Sequence, residues 1–357
     1  MSSSSALAIA VVGLGARCAI GLTAPSAAAA MRAGISRLQD HPYMLDRVGE
    51  PFVVAREPTL KPEIQGAERF VMLAEPALIE ALSVLDAPGE LASLPILIGL
   101  PEDRPGLAPG IQEALANMVI RRVGANSPRR LTFLPKGSAA GIMAMYKAAE
   151  LLREGAASFC LVGGVDSYIT ADTLEWMDAE GMLKSSANRN GFPPGEAAGF
   201  CLLTTSVMAR QHGLPVLGWL GSFGVAREPS PIRTPTICIG RGLSDAIKQA
   251  TEPLQLPDQR VDESICDING EPYRSEEFAL TVLRTQMAFV DATRFATPAD
   301  CWGDIGAASG PLFVNLAVAA GLRGYAKGPR TMVWASSVGG DRAAAIVHAA
   351  TAQGANR

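Results

Sequence analysis

Histidine is scarce in this chain: only His41, His212 and His348 occur in 357 residues, and all three are expected in loops or at the surface. Charge is also sparse, at 18% of residues. The 31 lysines and arginines are scattered, so the electrostatic footprint of a nucleic-acid binder is missing. Six cysteines, Cys18, Cys160, Cys201, Cys238, Cys266 and Cys301, lie far apart. Without C-x-x-C pairs they exclude the usual zinc and redox motifs and read as reduced thiols of a cytoplasmic protein. No metal or cofactor is expected. No apolar run approaches the roughly 20 residues that span a bilayer. The apolar stretch from Ala6 to Leu14 lacks the positive region of a signal peptide and is read as a buried first strand.

What is present is apolar and small. Hydrophobic residues reach 48%, with 36 glycines, a composition that suits an α/β protein whose strands are buried on both faces. Strands are expected at Leu7–Val12, Leu94–Leu100, Leu131–Leu134 and Phe159–Gly163, with a hairpin-like or edge strand at Ala198–Thr204. Helices are expected at Ala24–Arg32, Ala67–Leu85, Gln112–Val123 and Ser138–Glu154, and a surface loop from Ser36 to Gln65. The pattern repeats later, with strands at Ser264–Ile268, Thr331–Ser336 and Ala344–Val347 and helices at Leu243–Thr251, Glu276–Met287 and Gly310–Gly321. Two α/β halves, 1–206 and 207–357, are the expected organisation. Gly13-Leu14-Gly15-Ala16-Arg17-Cys18 has two glycines of a dinucleotide-binding turn. Cys18 replaces the third, and Asp40 is the only candidate ribose ligand, so a structural tight turn is the preferred reading.

Five segments, in order, resemble β-ketoacyl synthases. They are Val11-Val12-Gly13-Leu14-Gly15 with the helical run that follows; Ser138 to Gly155 continuing into Leu161-Val162-Gly163-Gly164-Val165-Asp166; Arg189-Asn190-Gly191-Phe192-Pro193-Pro194-Gly195-Glu196-Ala197-Ala198-Gly199; Gly303 to Gly310; and Ser336 to Gly340. The resemblance implies a thiolase fold, two similar α/β halves packed as a layered αβαβα core. It places the family's nucleophilic cysteine at Ser138, its first histidine at Asp267, its second at Asp304 and its lysine at Ala299. It also implies a structural role for Glu196 and an oxyanion-type loop, or simply a permissive turn, at Gly339 and Gly340. It further implies a homodimer joined at a sheet-edge strand, with an acyl-carrier protein or a secretion-related protein as possible partner. Ketosynthase-like proteins of this kind resemble members encoded beside type VI secretion genes.

A thiolate at a helix N-terminus is a strong nucleophile, whereas a serine hydroxyl needs an adjacent base. Aspartates in place of both histidines set negative charge against the enolate that condensation would form. Lys136, Arg274 and Arg342 could instead pair with them and plug the site. Ser138 is either an N-cap or a nucleophile; Asp267 and Asp304 are loop caps and arginine partners, or else a general base or metal ligands. Two functions follow: a silent homologue that acts by binding, or an acyltransferase or thioester hydrolase using Ser138.

Overall fold

Along strand β1 (Ile9–Cys18), Ile9 and Val11 pack into one hydrophobic core while Ala10 and Val12 pack into another. A strand with two apolar faces must lie between two layers of other elements. The computed structural model describes residues 8–85, 93–124, 130–232 and 234–350; the expected strand start at Leu7 lies outside them.

Among the described residues, ten strands form one continuous sheet made of two halves. In the first half the order is β5 (Leu131–Pro135), β4 (Ile96–Leu100), β6 (Phe159–Ser167), β7 (Glu196–Thr205) and β1. In the second it is β10 (Phe295–Ala296), β9 (Glu263–Cys266), β11 (Arg330–Ser336), β12 (Asp341–Ala349) and β8 (Gly218–Arg227). Numbered within its own half, each set runs third, second, fourth, fifth, first. Each set also pairs parallel at the outer strands and antiparallel at the inner ones. The halves meet where Ile9–Val11 pairs with Gly218–Leu220.

Helices complete five layers. The central layer contains α4 (Ala140–Arg153) and α10 (Ser309–Leu322), both lined with small residues that join the main core. They touch where Gly141 leaves no side chain: a Cβ there would stand 2.3 Å from Pro311 Cδ. Helices α2 (Gly66–Leu82) and α3 (Ile111–Val123) cover the outer face of the first half, and α7 (Arg241–Thr251) and α8 (Pro272–Thr285) cover that of the second. This is the αβαβα arrangement expected. No helix among the described residues is long and apolar enough to cross a membrane.

Several local expectations are corrected. Gly13 and Gly15 do not form a turn: they lie within β1, and a Cβ on either would strike the Ala81 or Ala77 carbonyl of α2. The chain reverses only after Cys18. The stretch from Ser36 to Gln65 contains a hairpin, β2 (Gln39–Leu45) with β3 (Pro51–Val54). The strand at Ala198–Thr204 is not an edge, because β7 pairs with β6 on one side and β1 on the other. His41 is buried in β2 and His348 sits in β12, rather than in loops.

Candidate active site

Strand β5 ends at Pro135, and the chain turns through a short 3₁₀ segment, Gly137–Ala139, before α4 begins. Ser138 is buried in that turn. It is not the helix cap, since neither the turn nor α4 has a side-chain cap of that kind. The free amide is met from the other half of the chain: Ala139 N–H donates to Ser337 Oγ at 2.9 Å, and the Ser337 hydroxyl donates to the Lys136 carbonyl. Ser138 instead lines a cavity of about 90 Å³, together with Glu102, Arg104, Asp166, Glu271, Arg274 and Asp304. That volume is well below the roughly 300–1,000 Å³ of a typical ligand pocket.

Arg274, in the first turn of α8, fills the centre of the site and is buried. Its Nη1 donates to Asp267 Oδ2 at 2.7 Å and to the Ser336 carbonyl at 2.9 Å. Its Nε donates to Glu271 Oε2 at 3.3 Å, and its Nη2 lies 3.8 Å from Asp304 Oδ2. Asp267 also accepts the Ser336 N–H at 2.8 Å. Asp304 accepts the Gly306 N–H at 2.8 Å and Asn269 Nδ2 at 2.7 Å. Ser138, Asp267 and Asp304 are thus brought to one region, but Asp267 stands behind Arg274 and does not line the cavity.

Burial pushes the Asp267 carboxyl up to about 6, against the opposing pull of Arg274 and the Ser336 amide. Its Oδ1 is buried with no hydrogen-bond partner. Burial also raises Glu271. Of the other two cations, Lys136 pairs with Asp341 at 3.1 Å. Arg342 pairs with Glu277 at 2.7 Å and donates to the Ser337 carbonyl. Arg274 alone of the three has recorded bonds or ion pairs to the two aspartates.

The Gly339 amide donates to both carboxylate oxygens of Glu102, at 3.1 and 3.0 Å. Gly340 has φ +105°, a backbone that favours glycine, and its N–H donates to the Ser337 carbonyl. Glu196 is buried against Arg69, with oxygen-to-nitrogen distances of 2.5 and 2.6 Å, and also accepts the Ser167 hydroxyl and the Glu57 amide. These contacts lie away from the cavity lining. Ala299 opens the short helix α9 (Ala299–Trp302) and brings no charge.

Several charged members of the site were missed in the sequence, Arg104 and Glu102 among them. Arg104 donates to Asp166 Oδ1 at 2.6 Å and lies over the Tyr168 ring, while Asp166 Oδ2 accepts the Ala307 amide at 3.0 Å. Glu102 was missed too. The signal was available, because Glu102-Asp103-Arg104 is a charged triple just past the carboxyl end of a core strand, where α/β folds place their ligand sites. The cavity lining therefore carries five carboxyl groups (Glu102, Asp103, Asp166, Glu271, Asp304) and two guanidinium groups (Arg104, Arg274). Among the described residues, the side chains close enough to share a cation are Glu228, Cys238 and Glu277, outside this cavity.

Residues 132–209, which include the Ser138 turn and helix, match the family of β-ketoacyl synthase N-terminal domains. A putative polyketide β-ketoacyl synthase 1 from Streptomyces virginiae is 27% identical over 163 residues, 43% of this chain and 38% of that protein. The match thus spans little more than a third of that relative. The ishigamide ketosynthase/chain length factor aligns with a TM-score of 0.79 at 16% identity, over 96% of this chain and 99% of that one. A type II polyketide acyl-carrier protein in complex with its ketosynthase bound to the hexaketide gives a chain with a TM-score of 0.76 at 15% identity, over 96% and 99%. The module 6 ketosynthase of the bacillaene synthase from Bacillus subtilis 168 aligns with a TM-score of 0.77 at 14% identity, over 96% and 72%. At these identities the structural likeness is one of fold. The chain thus resembles the β-ketoacyl synthases in sequence across the Ser138 helix, and over nearly its whole length it has the thiolase fold of the ketosynthase structures.

Proposed function

We propose that this protein is a non-condensing ketosynthase homologue that works by binding, as a partner subunit in a ketosynthase-type dimer. The observation that carries the reading is Arg274, seated against Asp267 with Asp304 beyond it. The two positions that would serve an enolate are carboxylates held by a buried cation. Supporting it, Glu102 engages the Gly339 amide that would otherwise face a substrate oxygen, and the cavity at Ser138 has room for a few waters rather than an acyl chain.

Binding has a surface available. Among the described residues, strand β5 pairs with β4 on one side and ends the sheet on the other, with half-buried Leu131, Phe133 and Leu134 along it. An unpaired apolar edge is a template for a strand from another chain. A homodimer is the simplest assembly; pairing with a ketosynthase, as in a ketosynthase/chain length factor, is the other form of the same geometry. An acyl-carrier protein is the proposed recognition partner in the cytoplasm, and an adaptor in type VI secretion is a narrower version that gene neighbourhood decides.

The test is incubation with acyl- and malonyl-thioesters, read by intact mass and carbon dioxide release, alongside native mass spectrometry. A dimer, no condensation and no adduct are expected. Malonyl decarboxylation would show that the site stabilises an enolate, and an acyl adduct that disappears in Ser138→Ala would establish Ser138 as a working nucleophile; either result overturns the reading.

A further inference from the structure

Glu228 follows β8, Cys238 lies in the connection to α7, and Glu277 projects from α8. One ligand atom from each lies within 4.8 Å of the others. Both glutamates are 1% exposed. Buried carboxylates are normally paired with cations or bound to a metal. Here, among the described residues, one guanidinium is recorded in contact with the pair: Arg342 Nε at 2.7 Å from Glu277 Oε1. The other oxygen of Glu277, Oε2, is buried and has no hydrogen-bond partner. Among the described residues, Glu228 accepts from the backbone amides of Gly242 at 2.7 Å and Ser230 at 3.4 Å. Among the described residues, two buried carboxyl groups share one guanidinium beside a thiol, and one carboxyl oxygen is left without a hydrogen-bond partner.

We propose that Glu228, Cys238 and Glu277 form a divalent-metal site of the zinc class, separate from the Ser138 cavity. A thiolate with two carboxylate oxygens matches zinc chemistry, and water completes a tetrahedron. Zinc bonds of about 2.0–2.3 Å separate such ligand atoms by roughly 3.3–3.7 Å, so from within 4.8 Å of one another the three need close by about 1.5 Å at most, a side-chain adjustment. Cys238 is half-buried, which leaves a route from solvent. On binding, the thiol loses its proton to solvent and the sulfur lone pair bonds the metal. Burial first, and then Glu277 and Glu228, hold this thiol above its usual range.

The site is tied to the loop beside Ser138. Glu228 N–H donates to the Gly340 carbonyl at 2.7 Å. Arg342, bound to Glu277, donates to the Ser337 carbonyl at 2.7 Å. A bound cation would therefore brace the 337–342 turn from behind.

The test uses full-length protein stripped with a chelator and titrated with Zn²⁺ against a chromophoric competitor, and separately with Co²⁺. One equivalent should bind, with a thiolate-to-cobalt charge-transfer band. Cys238→Ser, which replaces a half-buried thiol by a near-isosteric hydroxyl, should lose that band and weaken Zn²⁺ binding at least tenfold while its circular dichroism stays unchanged. Glu277→Gln should weaken binding but retain the band. Failure to bind one equivalent, or a cobalt spectrum identical in wild type and Cys238→Ser, overturns the proposal.

Discussion

Glu102 and Gly339, 237 residues apart in sequence, are joined by one amide that donates to both oxygens of the carboxylate. Burial raises the Glu102 carboxyl, and the Gly339 amide draws it back down. The carboxyl packs against the Gly137 backbone, next to Ser138.

A cysteine introduced by Ser138→Cys would sit beside this acid. Its thiol is expected to titrate above the ordinary range of about 8.5, despite the helix start. Adding Glu102→Gln should accelerate alkylation by iodoacetamide several-fold at pH 7. Rates followed by intact mass check this; a single variant that alkylates fastest below pH 7 contradicts it.

Arg274→Ala removes the one guanidinium bonded to Asp267. The stranded buried charge should cost about 3–5 kcal/mol. Arg274→Met with Asp267→Asn should cost clearly less, because neither charge is then left alone. Urea unfolding of the three proteins measures the difference, and equal losses would argue that the two side chains do not interact.

Asp267 sets a pH dependence. Its carboxyl is raised from 3.8 to about 6 in the folded protein. Between those values the unfolded chain gives up the proton while the native state keeps it, so the contribution is present below about pH 4 and is lost as pH rises through 6. The loss amounts to about 3 kcal/mol. The stability of wild type relative to Asp267→Asn should therefore fall from pH 4 to pH 6.5. Denaturant midpoints across that range decide it, and a flat difference would show that Asp267 is not raised.

Gly141→Ala tests the central layer. The new methyl would stand 2.3 Å from Pro311 Cδ, on the rigid ring of the facing helix. Overpacking of this kind costs about 1–3 kcal/mol, partly offset by alanine's better helix propensity of about 1 kcal/mol. A drop in urea midpoint is expected; an unchanged midpoint would mean the helices separate freely.

The layered fold was legible because most core strands and central helices carry strong periodic patterns in an order shared with ketosynthases. The hairpin at residues 39–54 was not, since β2 is largely exposed, contains Pro42 and has no alternating apolar face. Gly13 and Gly15 misled for a physical reason: in sequence, two close glycines signal a turn, while here they admit a packed helix. The positions Ser138, Asp267 and Asp304 came from the resemblance, and Arg274 from its proximity. Glu102 and Arg104 carried a readable signal in their place past the end of a core strand, but their pairings with Gly339 and Asp166 are announced by no local pattern. Glu228, Cys238 and Glu277 lie on separate elements with no ligand spacing to read.

The duplicated strand order has one more consequence. Each half supplies a 3₁₀ turn feeding a central helix, Gly137–Ala139 into Ala140 and Gly306–Ala308 into Ser309. Two positive helix ends, each equivalent to roughly half a charge, therefore converge on the same spot, one from each half. This field is a property of backbone topology and survives any change of side chain. Such a scaffold attracts anions at its centre, and in this chain the carboxylates of Asp166 and Asp304, which accept the Ala307 and Gly306 amides, are resident occupants of that field.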